Sequence, residues 1–457
     1  MNKINLNAKK VHFIGIGGIS MSGLAEVLKR DGYEVSGSDD VKSQITNHLQ
    51  DVGIHVFIPN AAANITDDIG LVVYTAAVKP SNPEFSAAKA MGKTLIDRAE
   101  LLGLMLRGYE YPICVAGTHG KTTTTSLMAE VLLESGLDPT ISIGGHLRRD
   151  GTNYRVGESD YFLLEACEYS NSFHHWHPYV GIILNIDADH LDFFGNFDGV
   201  VRSFRQFAQN IRPDGVLLIR HDTPGFDEVT RDLPCRVITF GEKGARFWTD
   251  NIKYDDTGCP SFDVIDGETC IAQIHLSLPG RYNMLNALST LAAAVMLGIP
   301  PKAAAEALTN AKGVKRRFEY KGTYNGARIV DDYAHHPTEI SECLKAAKNT
   351  GAKRVICLFQ PHTYTRTRNH LADFAKSFKD ADQILLLPIY ASREAFDSSI
   401  SSKDLQEGIK SNDGNVIHLN NFPEAVIFLQ QNLMPDDLLI TMGAGDVYFV
   451  GETLLSS

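Results

Sequence analysis

The sequence has no CxxC pair, no uninterrupted apolar run long enough to cross a bilayer, no short internal repeat and no low-complexity tract. Each absence removes a class of protein. Seven scattered cysteines, an odd number without paired spacing, argue against a disulfide framework and for reduced thiols in a cytoplasmic protein. The polar opening "MNKINLNAKK" leads straight into a strand, with no secretory h-region, so neither membrane insertion nor secretion is expected. Positive charge is also short. Lys and Arg number 43 against 55 Asp and Glu, a formal net charge of −12, which argues against general nucleic-acid affinity. If the substrates are polyanions, positive charge must be supplied locally by Lys, Arg, helix N-termini or metal.

What is present describes a globular chain. Its 457 residues, 44% hydrophobic and 21% charged, suit two or three domains. Strand "VHFIGI", a glycine turn, an amphipathic helix from Ser20 to about Arg30 and strand "YEVSGSD" read as a βαβ unit. Alternation continues through "LVVYTAA" to about Arg107, and "RGYEYP" (Arg107 to Pro112) reads as a linker. A second series opens with "YPICVAG" and a helix from Lys121 to Glu134. It continues through buried strands in "YFLLEA" and "VGIILNI" and a helical run from Tyr282 through Leu297. After "GVKRRFEYKG" come strand "ARIVDDY", a helix from Pro337, strand "KRVICLF", a helix from about Arg366, and strands in "QILLLPI" and "DLLITMGAGD". This alternation predicts an α/β fold of mostly parallel, doubly wound sheets with flanking helices.

Two glycine-rich loops stand at strand-to-helix junctions, where free backbone N–H groups and the helix dipole favour phosphate. The first, "GIGGISMSG", offers Gly15, Gly17 and Gly18, and Asp39 ends the next strand where a dinucleotide fingerprint places a ribose-binding acid. Ser20 replaces the third Gly of that fingerprint, so the loop argues for a diphosphate and leaves its carrier open; a tight βα turn is the plain alternative. The second loop, "VAGTHGKTTTT", has the Gly120-Lys121-Thr122 of a P-loop, but only Thr118 and His119 separate Gly117 from Gly120, fewer than the usual spelling. Lys121 can reach transferred oxygens, and the Thr122 or Thr123 hydroxyl can face Mg²⁺. Ordinary helix capping, the rival reading, leaves the Lys-Thr pair little to do.

"LLEACEYSNSF" and "LNIDADHLDFF" set Glu165, Glu168, Asp189 and His190 at the C-terminal ends of strands, where α/β sheets bind ligands. They could hold hard cations, or be solvated loop charge. "HHWH" (His174 to His177) has no companion pair at structural zinc spacing and reads as packed or surface residues; Cys167 reads as an inert thiol. "DDYAHHPTEI" and "FQPHTYTRTR" combine Asp, His and Arg with aromatic side chains, as a ribose, phosphate or carboxylate site requires, with capping Asp and Pro turns as the alternative.

Taken in order, "HFIGIGGISMSGLAEVL", "GYEVSGSD", "AGTHGKTTTTSLMAEVL", "ISIGG", "NIDADHLD", "NALSTLAAA", "GVKRRFE", "DDYAHHPTEI" and "FQPHTYTRT" resemble the Mur ligase family, in its alanine-adding branch, almost end to end. That family spells its ATP loop G-T-x-G-K-T, which accounts for the short second loop. The resemblance implies a Rossmann-like UDP-sugar domain over residues 1–110, a central P-loop-type ATPase domain over 111–315 and a Rossmann-like C-terminal ligase domain over 316–457. The activity it implies is ATP-dependent ligation of L-alanine to the lactyl carboxylate of UDP-N-acetylmuramate through an acyl phosphate, in peptidoglycan precursor synthesis. A monomer or weak homodimer using Mg²⁺, with Mn²⁺ as a substitute, would carry it out. Gly15, Gly17 and Gly18 would cradle the UDP diphosphate, with Asp39 near the uridine end. Gly117, Thr118, His119, Gly120, Lys121, Thr122 and Thr123 would hold ATP, Lys121 at the γ-phosphate and Thr122 on the metal ion. Glu165 and His190 match positions around the metal; Asn286 and Arg317 match adenine- and nucleotide-side contacts, and Asp332 the ribose contact. His335 and Arg366 match positions near the incoming amino acid's carboxylate, and His335 is also a candidate to take the amine's proton. Catalysis would thus rest on Lys121, His190, His335 and Arg366.

The chain departs from the family pattern in places. Cys167 stands where the commoner motif has Asp, Tyr282 where many relatives have His, and Thr363 where some have Arg, which throws the amino acid's carboxylate more heavily on Arg366. No Lys occurs between His190 and Lys243, which excludes the carbamylated Lys that other branches use. The nearest rival is the recycling ligase that attaches a whole tripeptide; its relatives carry Gly-Thr in the first loop and a longer insertion after the acidic motif. A folate polyglutamate ligase would lack the N-terminal domain. An NAD-dependent dehydrogenase would leave the second loop idle, and a non-catalytic regulator has no use for Lys121, Glu165 and His190 together.

Overall fold

The computed structural model describes residues 4–75, 77–147, 149 and 151–457. By compactness the chain divides into two units, Met1–Trp248 with Ile265–Thr269 and Leu288–Ala307, and Thr249–Val264 with Cys270–Ala287 and Leu308–Ser457.

The first unit begins with β1 (Lys10–Ile14), α1 (Ile19–Arg30), β2 (Glu34–Ser38), α2 (Gln44–Asp51), β3 (His55–Phe57), β4 (Leu71–Tyr74), α3 (Pro83–Ala90), β5 (Thr94–Asp97) and α4 (Arg98–Leu106). The strands form one parallel sheet in the order β3-β2-β1-β4-β5. Strand order reverses beside β1, so the first glycine loop leaves β1 at a topological switch point, where open α/β sheets bind ligands.

Next come β6 (Tyr111–Ala116), α5 (Lys121–Glu134), β7 (Thr140–Ser142), β8 (Tyr154–Arg155), β9 (Tyr161–Glu165), β10 (Val180–Ile183), α6 (Leu191–Phe194), α7 (Phe197–Gln209), β11 (Val216–Arg220), α8 (Phe226–Thr230), β12 (Arg236–Gly241) and β13 (Phe247–Tyr254). Within the first unit their sheet runs β12-β11-β10-β6-β9-β7-β8, parallel except for β8 at its edge. The second loop leaves β6, which lies between β10 and β9. Helix α5 carries four consecutive threonines, poor helix formers, yet Thr122 to Thr125 are all buried. Packing overrides propensity there, and the Thr125 hydroxyl returns to the Lys121 carbonyl at 2.8 Å.

Strands β14 (Pro260–Asp266) and β15 (Thr269–His275) and helices α9 (Arg281–Met296) and α10 (Pro301–Asn310), each with residues divided between the two units, lead on to residues 311–457 of the second unit. There β16 (Glu319–Tyr324), β17 (Ala327–Asp332), α11 (Pro337–Lys348), β18 (Arg354–Phe359), α12 (Tyr364–Asn369), α13 (Leu371–Ser377), β19 (Gln383–Leu386), α14 (Ser402–Lys410), β20 (Val416–His418), α15 (Phe422–Asn432), β21 (Asp437–Met442) and α16 (Tyr448–Ser456) follow. The sheet order is β16-β17-β21-β18-β19-β20, with only β16 antiparallel. The chain is α/β throughout, on mostly parallel sheets.

Local expectations need three corrections. The expected linker is partly strand: Tyr111 and Pro112 begin β6, because Tyr111 pairs with Tyr161 in register and stacks on its ring at 4.9 Å. Strand β4 stops at Tyr74, short of the expected Ala77. The helix expected from about Arg366 starts at Tyr364, because Thr363 caps it through a side-chain bond from the Arg366 N–H. Among the described residues no helix is long and apolar enough to cross a membrane. All seven cysteines are free.

Candidate active site

At the second loop, Gly117 takes φ +144°, a region that favours glycine, and a Cβ there would stand a tight 3.0 Å from the Leu184 Cβ. Gly120, at φ +84°, turns the chain into α5 in a left-handed conformation that favours glycine. The Lys121 ammonium donates to the carbonyls of Gly117 at 2.6 Å and Thr118 at 3.0 Å and pairs with the Glu168 carboxylate at 2.8 Å. Burial opposes its charge, but the carboxylates of Glu168 and Glu165 outweigh burial and raise its pKa, so the charge is fixed in place. The Thr122 hydroxyl donates to Glu165 Oε1 at 2.9 Å, and the Gly144 N–H donates to Glu165 Oε2 at 2.7 Å. A hydroxyl and a carboxylate side by side form a hard-oxygen donor set suited to Mg²⁺ or Mn²⁺. Thr118 and Thr123 are buried in the same turn. His190 opens α6 at φ +53°, its ring 4.8 Å from that of Tyr169 and 3.7 Å from the Asp189 carboxylate. Among the described residues, no hydrogen bond or ion pair joins His190 to Thr122 or Glu165.

The segment after β10 lies along this loop. The Asn185 side chain accepts the His119 N–H at 2.8 Å and donates to the His119 carbonyl at 3.0 Å, and the His119 ring meets Asp187 at 3.1 Å. Sequence reasoning passed over Asn185 and Asp187. Nothing local in "LNIDADHLDFF" marks an amide as a loop partner beside its candidate cation-binding groups.

At the first loop, the N–H groups of Gly15 and Ile16 both donate to the Ser38 carbonyl at 2.9 Å, and the Gly17 N–H donates to Asp39 Oδ2 at 2.9 Å. A Cβ on Gly17 would lie 2.7 Å from that same oxygen, which is why glycine is needed. Gly18 is the N-cap of α1 and has no side-chain cap bond. Asp39 is therefore placed on the loop itself. Behind it lies a buried polar cluster also missed from the sequence. Glu84 accepts from Asn64 at 2.6 Å, from the Ala61 N–H at 3.1 Å and from the Ser38 hydroxyl, with His12 at 3.3 Å.

In the second unit, Asp332 ends β17 with both carboxylate oxygens engaged, accepting the N–H groups of Phe318 and Ala334, each at 2.7 Å. Burial raises its pKa to about 6, against the opposing pull of Arg317. The Arg317 guanidinium lies 5.2 Å over the Tyr333 ring and 3.9 Å from Glu339. His335 Nδ1 is 2.9 Å from the Tyr333 carbonyl, and its ring is 5.9 Å from that of His362, whose Nδ1 is 3.3 Å from Arg366. Burial, with the Arg366 charge, lowers both histidine pKa values to about 4. His335, His362 and Arg366 thus share one corner, and His362 is an addition to the expected set. Asn286 is buried beside Asn283, at 3.3 Å.

Parallel α/β sheets, a Gly-Lys-Thr loop with paired acids and a second glycine loop at a switch point define a phosphate-loop enzyme acting on nucleotides. Residues 10–110 match the Mur ligase family, catalytic domain; residues 115–294 match the Mur ligase middle domain; residues 316–445 match the Mur ligase, glutamate ligase domain. The chain is 47% identical over 456 residues to a UDP-N-acetylmuramate–L-alanine ligase of Clostridium novyi, covering 100% of this chain and 99% of that one. It is also 47% identical to a protein of the same name from Agathobacter rectalis, over 97% of each. Among solved structures, a UDP-N-acetylmuramate-alanine ligase of Thermotoga maritima superposes with a TM-score of 0.78 at 27% identity, over 98% of each chain. A murein peptide ligase of Psychrobacter arcticus shares the fold, with a TM-score of 0.68 at 23% identity over 98% of each. The chain belongs to the Mur ligase family.

Proposed function

We propose that the protein joins L-alanine to the lactyl carboxylate of UDP-N-acetylmuramate, with ATP as the driving substrate. The products are UDP-N-acetylmuramoyl-L-alanine, ADP and phosphate, a step of peptidoglycan precursor synthesis. The full-length likeness to ligases of that name supports the choice of substrates. The observation that carries the chemistry is the fixed Lys121 charge beside the Thr122–Glu165 oxygen pair at the second loop.

A carboxylate does not accept an amine at neutral pH, because oxide is a poor leaving group. Transfer of the ATP γ-phosphoryl group to the lactyl carboxylate gives an acyl phosphate; the alanine amine then displaces phosphate. Lys121 and the opening amides of α5 offset the repulsion between carboxylate and triphosphate. Thr122 and Glu165 would hold Mg²⁺ or Mn²⁺, which supplies Lewis-acid charge at the phosphate oxygens when bound; His190, bonded to neither among the described residues, joins the set on the family resemblance alone. Residues 1–110 take the sugar nucleotide, with Gly15, Gly17 and Gly18 at its diphosphate. Residues 111–315 take ATP, and residues 316–457 supply Arg317 and Asp332 to the nucleotide and Arg366 to the alanine carboxylate. With a pKa of about 4, His335 is neutral at physiological pH and can accept a hydrogen bond from the amine, while the ammonium proton itself leaves to substrate or solvent, because so weak a base cannot hold it.

The test is phosphate release from Mg-ATP by the purified protein with UDP-N-acetylmuramate and single acceptors: L-Ala, L-Ser, Gly and the tripeptide. Release should require the sugar nucleotide, be fastest with L-Ala, and fall at least ~100-fold in Lys121→Ala, the scale of losing one preorganised charge. Turnover with the tripeptide alone would instead identify the recycling ligase.

A further inference from the structure

We propose that Asn185 is a positioning residue for the ATP loop, shaping it through the backbone of His119; this rests on the reading of Gly117 to Thr123 as that loop. A bridge of only Thr118 and His119 has few peptide groups with which to define its own curve, so its shape must be set from outside. The segment after β10 does this. The Leu184 N–H donates to the Ala116 carbonyl at 3.0 Å and the Thr118 N–H to the Asn185 carbonyl at 3.2 Å, carrying the β6–β10 ladder one step into the loop. At the next residue the ladder ends and the Asn185 carboxamide takes over, satisfying the N–H and the carbonyl of His119 together, at 2.8 and 3.0 Å. One side chain thus does for His119 what a paired strand residue does for its neighbour. The Thr118 hydroxyl accepts the Asp187 N–H at 2.9 Å, and Gly117 packs against Leu184, where a Cβ would stand a tight 3.0 Å from the Leu184 Cβ. With the His119 N–H committed to Asn185, the amides that open α5 are the ones left to meet phosphate.

The assignment requires Asn185 to act on nucleotide binding without touching the sugar nucleotide, and that separates it from a residue that merely stabilises the fold. Asn185→Ala removes both bonds. Asn185→Asp keeps the shape and the bond from the His119 N–H, but sets a carboxylate against the His119 carbonyl. The chain would be titrated with Mg-ADP, and KM for ATP and for UDP-N-acetylmuramate measured beside kcat. Trp176→Phe, which loses a 3.1 Å bond to the Ala99 carbonyl outside the loop, serves as the stability control. Both Asn185 variants should bind Mg-ADP roughly tenfold more weakly, the scale of a lost hydrogen bond with its partner left unsatisfied. KM for ATP should rise in step while KM for the sugar nucleotide holds, and the control should melt lower with unchanged ADP affinity. Equal ADP affinity in the wild type and both variants overturns the proposal. So does failure of both variants to fold at assay temperature, which would make Asn185 structural. A wild-type chain that does not bind Mg-ADP at all would instead overturn the ATP reading on which the proposal rests.

Discussion

His335 shows at the residue scale how one location sets both chemistry and stability. Its imidazole is held at a pKa of about 4 by burial and by Arg366, despite the opposing charge of Glu339, whereas an unfolded histidine titrates near ~6.5. Between those values the unfolded chain binds more protons than the folded one, so stability falls as pH drops through that window and is level above it. The contribution at stake is on the order of 3 kcal/mol at full development. His362 shifts in the same direction, for burial and the same Arg366 charge act on it. Urea midpoints measured at pH 7 and pH 4.5 should therefore drop less in His335→Asn than in the wild type. Equal drops would mean that the imidazole is not desolvated as the structure has it. The same variant, compared at pH 7, should retain UDP-N-acetylmuramate affinity while losing ligation rate.

At the scale of elements, helix α1 meets strand β8 at a point that tolerates no side chain. A Cβ on Gly23 would lie 2.2 Å from the Tyr154 ring carbon Cγ. Gly23→Ala should destabilise by about 1–3 kcal/mol through overpacking. Tyr154→Ala should do so through the cavity it opens, and the double variant should cost clearly less than the two single costs added. A double-mutant cycle by urea unfolding checks this, and strict additivity would place the helix and the strand out of contact. Neither partner announces the other in sequence, and the same limit governs what was legible elsewhere. Buried strands such as β10, "VGII", and the helix from Lys121 to Glu134 are readable because an apolar run or a Gly-Lys-Thr start is a local signal. Strand β13, "FWTDNIKY", largely exposed over its second half, carries no such run. In the site, Gly117, Lys121 and Thr122 were readable from their spelling. Asn185 and Glu84 were not, since their bonds reach residues 66 and 20 to 72 positions away, nor was His362, whose ring meets that of His335 only through the fold.

At the scale of the molecule, the sheet that carries the first glycine loop and the sheet that carries the second share one core. Val11, Phe13 and Leu24 belong to the same buried apolar cluster as Phe162, Trp176 and Phe204. Polar contacts reinforce it. The Trp176 indole donates to the Ala99 carbonyl at 3.1 Å, the Arg30 guanidinium reaches Tyr109 at 3.1 Å, and the Tyr109 ring sits edge-on to Phe162 at 5.0 Å. Elements built on one continuous core open together, because exposing part of it exposes the apolar surface of both sheets. Trp176→Ala should cost about 3–5 kcal/mol, and the loss should not stay local. In native-state hydrogen exchange, amides of β1 and β4 should lose as much protection as those of β6 and β9. Loss confined to β6 and β9 would mean that the two sheets are separate folding units. The cooperative outcome bears on the proposed function: two glycine loops built on one continuous core keep their separation, which in-line attack of a lactyl carboxylate on a γ-phosphate would require if the first holds the diphosphate and the second ATP.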